Sequence, residues 1–94
     1  MRVRWTRRAL RALDGIAEYI AQDSPSAARR IVRRIQDAVA DLDAHPWMGR
    51  AGRVAGTREL VVAGTPFLIP YRVREETLEI LSVIHAARKW PDEF

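Results

Sequence analysis

Apolar residues recur along this chain with two periods, and the change between them divides it. Residues 2–5, RVRW, alternate Val3 and Trp5 with arginines, which predicts a short strand. From residue 6 the spacing lengthens. Leu10, Leu13, Ile16, Ala17 and Ile20 then fall on one face of a helix over 6–22. Thr6 is placed to cap it, because a hydroxyl there accepts from a free N–H of the first turn. Ser24 and Pro25 restart the pattern as N-cap and first helical residue, where a missing N–H costs nothing. The second helix carries Ala28, Ile31, Val32, Ile35, Val39 and Leu42 on one face. Arg29, Arg30, Arg33, Arg34, Asp37 and Asp41 lie on the other. The short link predicts an antiparallel helix hairpin. His45-Pro46 ends it, since the residue before a proline is driven out of the helical region.

Residues 45–57, HPWMGRAGRVAGT, are interrupted by Pro46, Gly49, Gly52 and Gly56 and read as a loop. Three strands are predicted after it, at 58–63, 66–74 and 77–85. A turn at Glu75-Glu76 sets the register of the last two: Val73 opposes Leu78, Tyr71 opposes Ile80, Ile69 opposes Ser82 and Phe67 opposes Ile84. That face is almost wholly apolar. The other face pairs Arg72 with Glu79, Arg74 with Thr77 and Leu68 with Val83, and His85 shares it. Pro70 lacks a donor and marks a bulge or an unpaired edge. The expected fold is α+β: an N-terminal strand and a two-helix hairpin packed on a twisted antiparallel sheet. The arginine-bearing sheet face, with the loop near it, is the expected functional surface.

Composition narrows the class. The 94 residues suit one domain spanning 1–94, and 48% hydrophobic with 30% charged residues argues against disorder. There is no apolar run of the length a membrane span needs and no apolar core to the N-terminal segment MRVRWTRRAL, so a cytoplasmic protein is expected. Cysteine is absent, which removes thiol chemistry and disulfides.

Charge changes the picture more. The net charge is +4, and nine of the arginines lie within residues 1–35, opposed there only by Asp14, Glu18 and Asp23. A basic half points to an anionic partner, either nucleic acid or an acidic protein segment. A solvated helix face is the plainer explanation of the same residues.

Motifs for chemistry are sparse. His45 and His85 stand far apart, without ligand spacing, so no metal or other cofactor is expected. No nucleophile elbow is present, and GRAGRVAGT matches no phosphate-binding loop. One constellation fits a reaction. Metal-independent RNA cleavage needs a base, an acid and cations for the phosphorane. His85 suits the acid or the base, and Arg58, Arg72, Arg74 and Arg88 suit the phosphate. The alternative is an ordinary Arg72–Glu79 ion pair and a histidine at a strand end.

Order and spacing carry a resemblance. A strand, a helix hairpin, L-x-x-H-P-x-M-G-R (42–50), R-E-L (58–60), P-Y-R-V (70–73) and L-x-I-L-x-V-I-H-A-A-R-x-W-P (78–91) together resemble the ParE/RelE toxin superfamily of type II toxin–antitoxin modules. The resemblance runs from about Val3 to Pro91. It implies a growth-inhibiting toxin wrapped by a cognate antitoxin of ParD or RelB type, with operator DNA bound only through that antitoxin. RelE-like members cleave mRNA on the ribosome, often with a Tyr or His near the C-terminus. ParE-like members inhibit DNA gyrase and lack that set. Here His85 is followed by Ala86 and Ala87, no Tyr follows it and no lysine lies on the sheet. Both branches can carry a histidine at this strand end, and the missing Tyr with the two-helix hairpin favours the ParE-like branch. An inactive homologue kept as antitoxin partner is the third possibility. Arg29, Arg30, Arg33 and Arg34 are the expected antitoxin contacts. Arg74, Arg88, Lys89 and Trp90 are the expected target contacts, with Trp90 as a core residue the alternative.

Overall fold

A computed structural model describes residues 1–94. Strand β1 (Arg2–Trp5) leads into helix α1 (Arg7–Ala21) through Thr6. The Thr6 hydroxyl accepts from the Ala9 N–H at 3.2 Å, as an N-cap should, and donates to the Ile80 carbonyl at 2.7 Å. The helix start is thereby tied to the sheet. Helix α2 (Pro25–Ala44) begins at Ser24, whose hydroxyl accepts from the Ala27 N–H at 3.1 Å, and ends at His45. No helix is long and apolar enough to cross a membrane.

The remaining strands are β2 (Arg50–Ala51), β3 (Arg58–Val61), β4 (Phe67–Arg74), β5 (Thr77–Ile80) and β6 (Ile84–His85). They form one sheet in the order β1-β5-β4-β3-β2, with β6 also beside β4. Pairing is antiparallel except between β1 and β5, which are parallel. The sheet is therefore mixed, where a wholly antiparallel one was expected. The segment 45–57, read as loop throughout, contributes β2.

One sheet face meets the helices. Ile69, Tyr71, Leu78 and Ile80 are fully buried there, packed in one cluster with Ala9, Leu13, Ile35, Val39 and Leu42. Leu10, expected in this stripe, is 47% exposed. Ala9, Leu13, Ile16 and Ile20 define the inward line of α1, and Leu10 sits one residue, about 100°, off it.

The β4–β5 hairpin has the expected register, with Tyr71 opposite Ile80 and Arg72 opposite Glu79. Glu75 at its turn adopts the left-handed region, φ 58°. Beyond Ile80 the pairing slips by one. Leu68 opposes Ile84 and Phe67 opposes His85, not Val83 and Ile84 as expected. The cause is Pro70. Its carbonyl accepts the Leu81 N–H at 2.9 Å, but it has no N–H to return, and residues 81–83 leave the ladder as a bulge. A one-residue slip moves later side chains to the opposite face. His85 consequently shares the helix-side face with Phe67, their ring centroids 5.7 Å apart and edge-on, rather than the arginine-bearing outer face.

Candidate functional site

The loop after α2 is held from beneath by Tyr71. This buried residue donates its hydroxyl hydrogen to the Pro46 carbonyl at 2.9 Å and accepts the Gly49 N–H at 2.8 Å. Burial raises the phenol pKa above its ordinary value, against the smaller lowering influences of the Gly49 N–H and the Arg58 charge. The hydroxyl thus stays protonated and keeps both bonds. Gly49 is needed because a Cβ there would stand 2.6 Å from the Tyr71 ring. Arg58 holds the same loop from the side. Its guanidinium donates to the Gly49 carbonyl at 2.7 Å and the Trp47 carbonyl at 3.3 Å, and lies 4.9 Å from the Trp47 ring centroid. Trp47 and Met48 project outward, 61% and 48% exposed.

The outer sheet face is organised differently. Glu79 is gripped by Arg4 and by Arg72, the latter at 2.7 Å, and these two arginines hold its carboxyl below the usual carboxylate range. Glu59, 2% exposed, receives Arg50 and Arg53 side chains at 3.3 Å each and the Arg53 backbone N–H at 2.7 Å. The Trp90 ring lies 3.8 Å from the Arg53 guanidinium and is half-buried there, with its indole N–H unpaired. Trp90 is a packing residue as much as a surface one.

These contacts separate the residues grouped by sequence. His85 lies beside a groove of about 720 Å³ between α1 and β6, with Arg11, Arg88 and Lys89 at its rim. Its Nδ1 accepts the Ala87 N–H at 3.1 Å, which places the neutral ring's proton on Nε2. Arg72 is on the opposite face and engaged with Glu79. Arg58 is opposite Tyr71, four residues along β4 from Phe67, the partner of His85. That is about 13 Å at strand spacing. The fold therefore joins His85 with Arg88 and Lys89, and keeps it from Arg58 and Arg72. Arg74 is exposed at the end of β4. On α2, Arg29, Arg30, Arg33 and Arg34 are all exposed and without carboxylate partners, and Arg34 alone of the four is engaged within the fold, donating to the Ala63 carbonyl at 3.0 Å. Sequence reasoning passed over Trp47, Met48 and Glu59. The available signal was a tryptophan and a methionine inside a Gly/Pro loop, where no periodic pattern assigns them to a core.

A hairpin of helices on one face of a six-stranded mixed sheet defines the fold class. The family model for the ParE toxin of the type II toxin–antitoxin system parDE matches residues 3–90, and the chain belongs to that family. It is similar to Y4kP of Sinorhizobium fredii, named as a candidate toxin, at 53% identity over 96% of this chain and 93% of that protein. It is also similar to toxin RelE2 of Caulobacter vibrioides, at 43% identity over 89% and 93%. A solved structure of the chromosomal ParDE system from P. aeruginosa superposes with a TM-score of 0.81 at 33% identity, covering 90% of this chain and 95% of that one. Membership makes this a type II toxin of ParE type and implies a cognate antitoxin as its partner.

Proposed function

We propose that this toxin arrests growth by binding DNA gyrase, without chemistry of its own, until a cognate antitoxin covers it. The observation that carries this reading is the separation of His85 from Arg58 and Arg72. A ribonuclease needs its acid or base within hydrogen-bond reach of the scissile phosphate and cations around the same phosphate. Here the bulge at 81–83 sends the histidine to one sheet face, and Glu79 occupies the arginine on the other. The antitoxin is assigned to the basic face of α2, where Arg29, Arg30 and Arg33 have no internal counter-charge. Arg74, Arg88 and Lys89 are likewise exposed and unpaired, and suit an acidic target surface.

The name of the Caulobacter relative, toxin RelE2, keeps ribosome-dependent mRNA cleavage as the second reading. Inducing the toxin alone decides between them. We expect loss of gyrase supercoiling with intact mRNA, and the same growth arrest from His85→Ala. A general acid or base contributes about 10²–10⁴-fold in rate. Ribosome-dependent cuts that appear with the wild type and vanish with His85→Ala would overturn the gyrase reading.

A further inference from the structure

The loop Pro46–Gly49 is restrained far more than its exposed position requires. A buried phenol bonds it twice, one guanidinium bonds it twice more, and a glycine is required where it crosses the Tyr71 ring. The side chains that all this holds in place, Trp47 and Met48, cover no part of the core. Rigid exposed aromatic and arginine side chains are the composition of protein-binding hot spots, because their ordering cost is met before the partner arrives.

We propose that Trp47 and Met48, with Arg58 beside them, form the hot spot by which the toxin docks on its protein target. This rests on the gyrase reading above and names the toxin's side of that contact. Arg58 lies against the Trp47 ring and has no carboxylate within ion-pairing distance in the chain. The complementary surface on gyrase is therefore an apolar pocket with an acidic residue at its rim. The antitoxin is the less fitting occupant. The unpaired arginines of α2, residues 29–33, lie roughly 17–22 Å along the helix from its C-terminal end, where this loop begins.

The test uses purified gyrase and the intact toxin. Affinity for gyrase is measured for wild type, Trp47→Ala, Met48→Ala and, as an exposed control on α1, Leu10→Ala. Truncating a hot-spot tryptophan should weaken binding about thirtyfold or more, and Met48→Ala by less. Leu10→Ala should bind as wild type. All variants should keep the wild-type thermal midpoint, molecular mass and affinity for co-expressed antitoxin. Gyrase affinity of Trp47→Ala within twofold of wild type overturns the hot spot while leaving the gyrase reading intact. A loss of antitoxin affinity, or a change in self-association, assigns the loop to one of those partners and overturns the proposal. Wild-type toxin that does not bind gyrase removes the functional reading, and this target assignment with it.

Discussion

The two faces of the central sheet hold their neighbours by opposite means. The centre of the helix-side face is apolar: Ile69, Tyr71, Leu78 and Ile80 bury in the core with residues of both helices. The buried Tyr71 hydroxyl is satisfied by the Pro46–Gly49 loop, and Arg58 and His85 lie at the margins of that face. The outer face is built on charge, with Glu79 between Arg4 and Arg72, and Glu59 between Arg50 and Arg53. Among the strand arginines, Arg4, Arg50 and Arg72 are thus neutralised within the chain, whereas Arg2, Arg58 and Arg74 are not. Positive charge without a carboxylate partner sits on both helices, on the C-terminal segment and at Arg2, Arg58 and Arg74. Counting basic residues locates a partner only after internal pairs have been subtracted.

The comparison breaks hardest at Tyr71. Tyr71→Ala should cost about 3–5 kcal/mol, the usual range for removing a core aromatic. Tyr71→Phe keeps the ring and isolates the hydroxyl. It leaves the Gly49 N–H and the Pro46 carbonyl without their partner, at about 1–3 kcal/mol. Urea unfolding measures both. If Tyr71→Ala unfolds at the wild-type midpoint, the inner face is not the core described here.

Acid sharpens the contrast from the outer side. The folded protein holds Glu79 ionised because Arg4 and Arg72 donate to it, so its folded pKa lies below its unfolded one. Stability from this group is complete above the unfolded carboxylate range and is lost as pH falls through the folded value. Glu79→Gln should therefore unfold with a shallower dependence on acid pH than wild type, though less stable near neutrality. Parallel pH curves for the two proteins would show that the Arg4–Glu79–Arg72 cluster contributes nothing.

How far each face could be read from sequence follows from the same difference. The inner face obeys periodicity, so both helices, their caps and the β4–β5 register were legible. The slip at 81–83 was not, although Pro70 marked its position. A missing donor announces a bulge without saying which strand takes the extra residue or how many residues leave the ladder. That single residue decided where His85 points, and with it the ribonuclease constellation. Glu59 was illegible for another reason. Its cross-strand neighbour on β4 is Pro70, and its cations arrive from Arg50 and Arg53 across a loop. Trp47 and Met48 carry no periodic signal, and their anchoring by Tyr71 spans 22 residues at its Gly49 bond.

The smallest effect on stability should come from α2, and it separates free cations from those used within the fold. Arg29→Gln, Arg30→Gln and Arg33→Gln together remove three exposed charges without internal partners and retain a good helix former at each site. Stability should move by no more than about 0.5 kcal/mol per site, as for other surface changes. Association with the antitoxin should behave differently. Electrostatic steering raises the on-rate and makes it fall with salt, so the triple variant should associate more slowly and with a flatter salt dependence. Arg34→Gln is the internal contrast, because its guanidinium donates to the Ala63 carbonyl beside Gly64, and it should loosen the β3–β4 turn. Stopped-flow association at low and high salt reads the first effect, and amide exchange at the turn reads the second. An unchanged salt slope in the triple variant would move the antitoxin's electrostatic contact off this helix face.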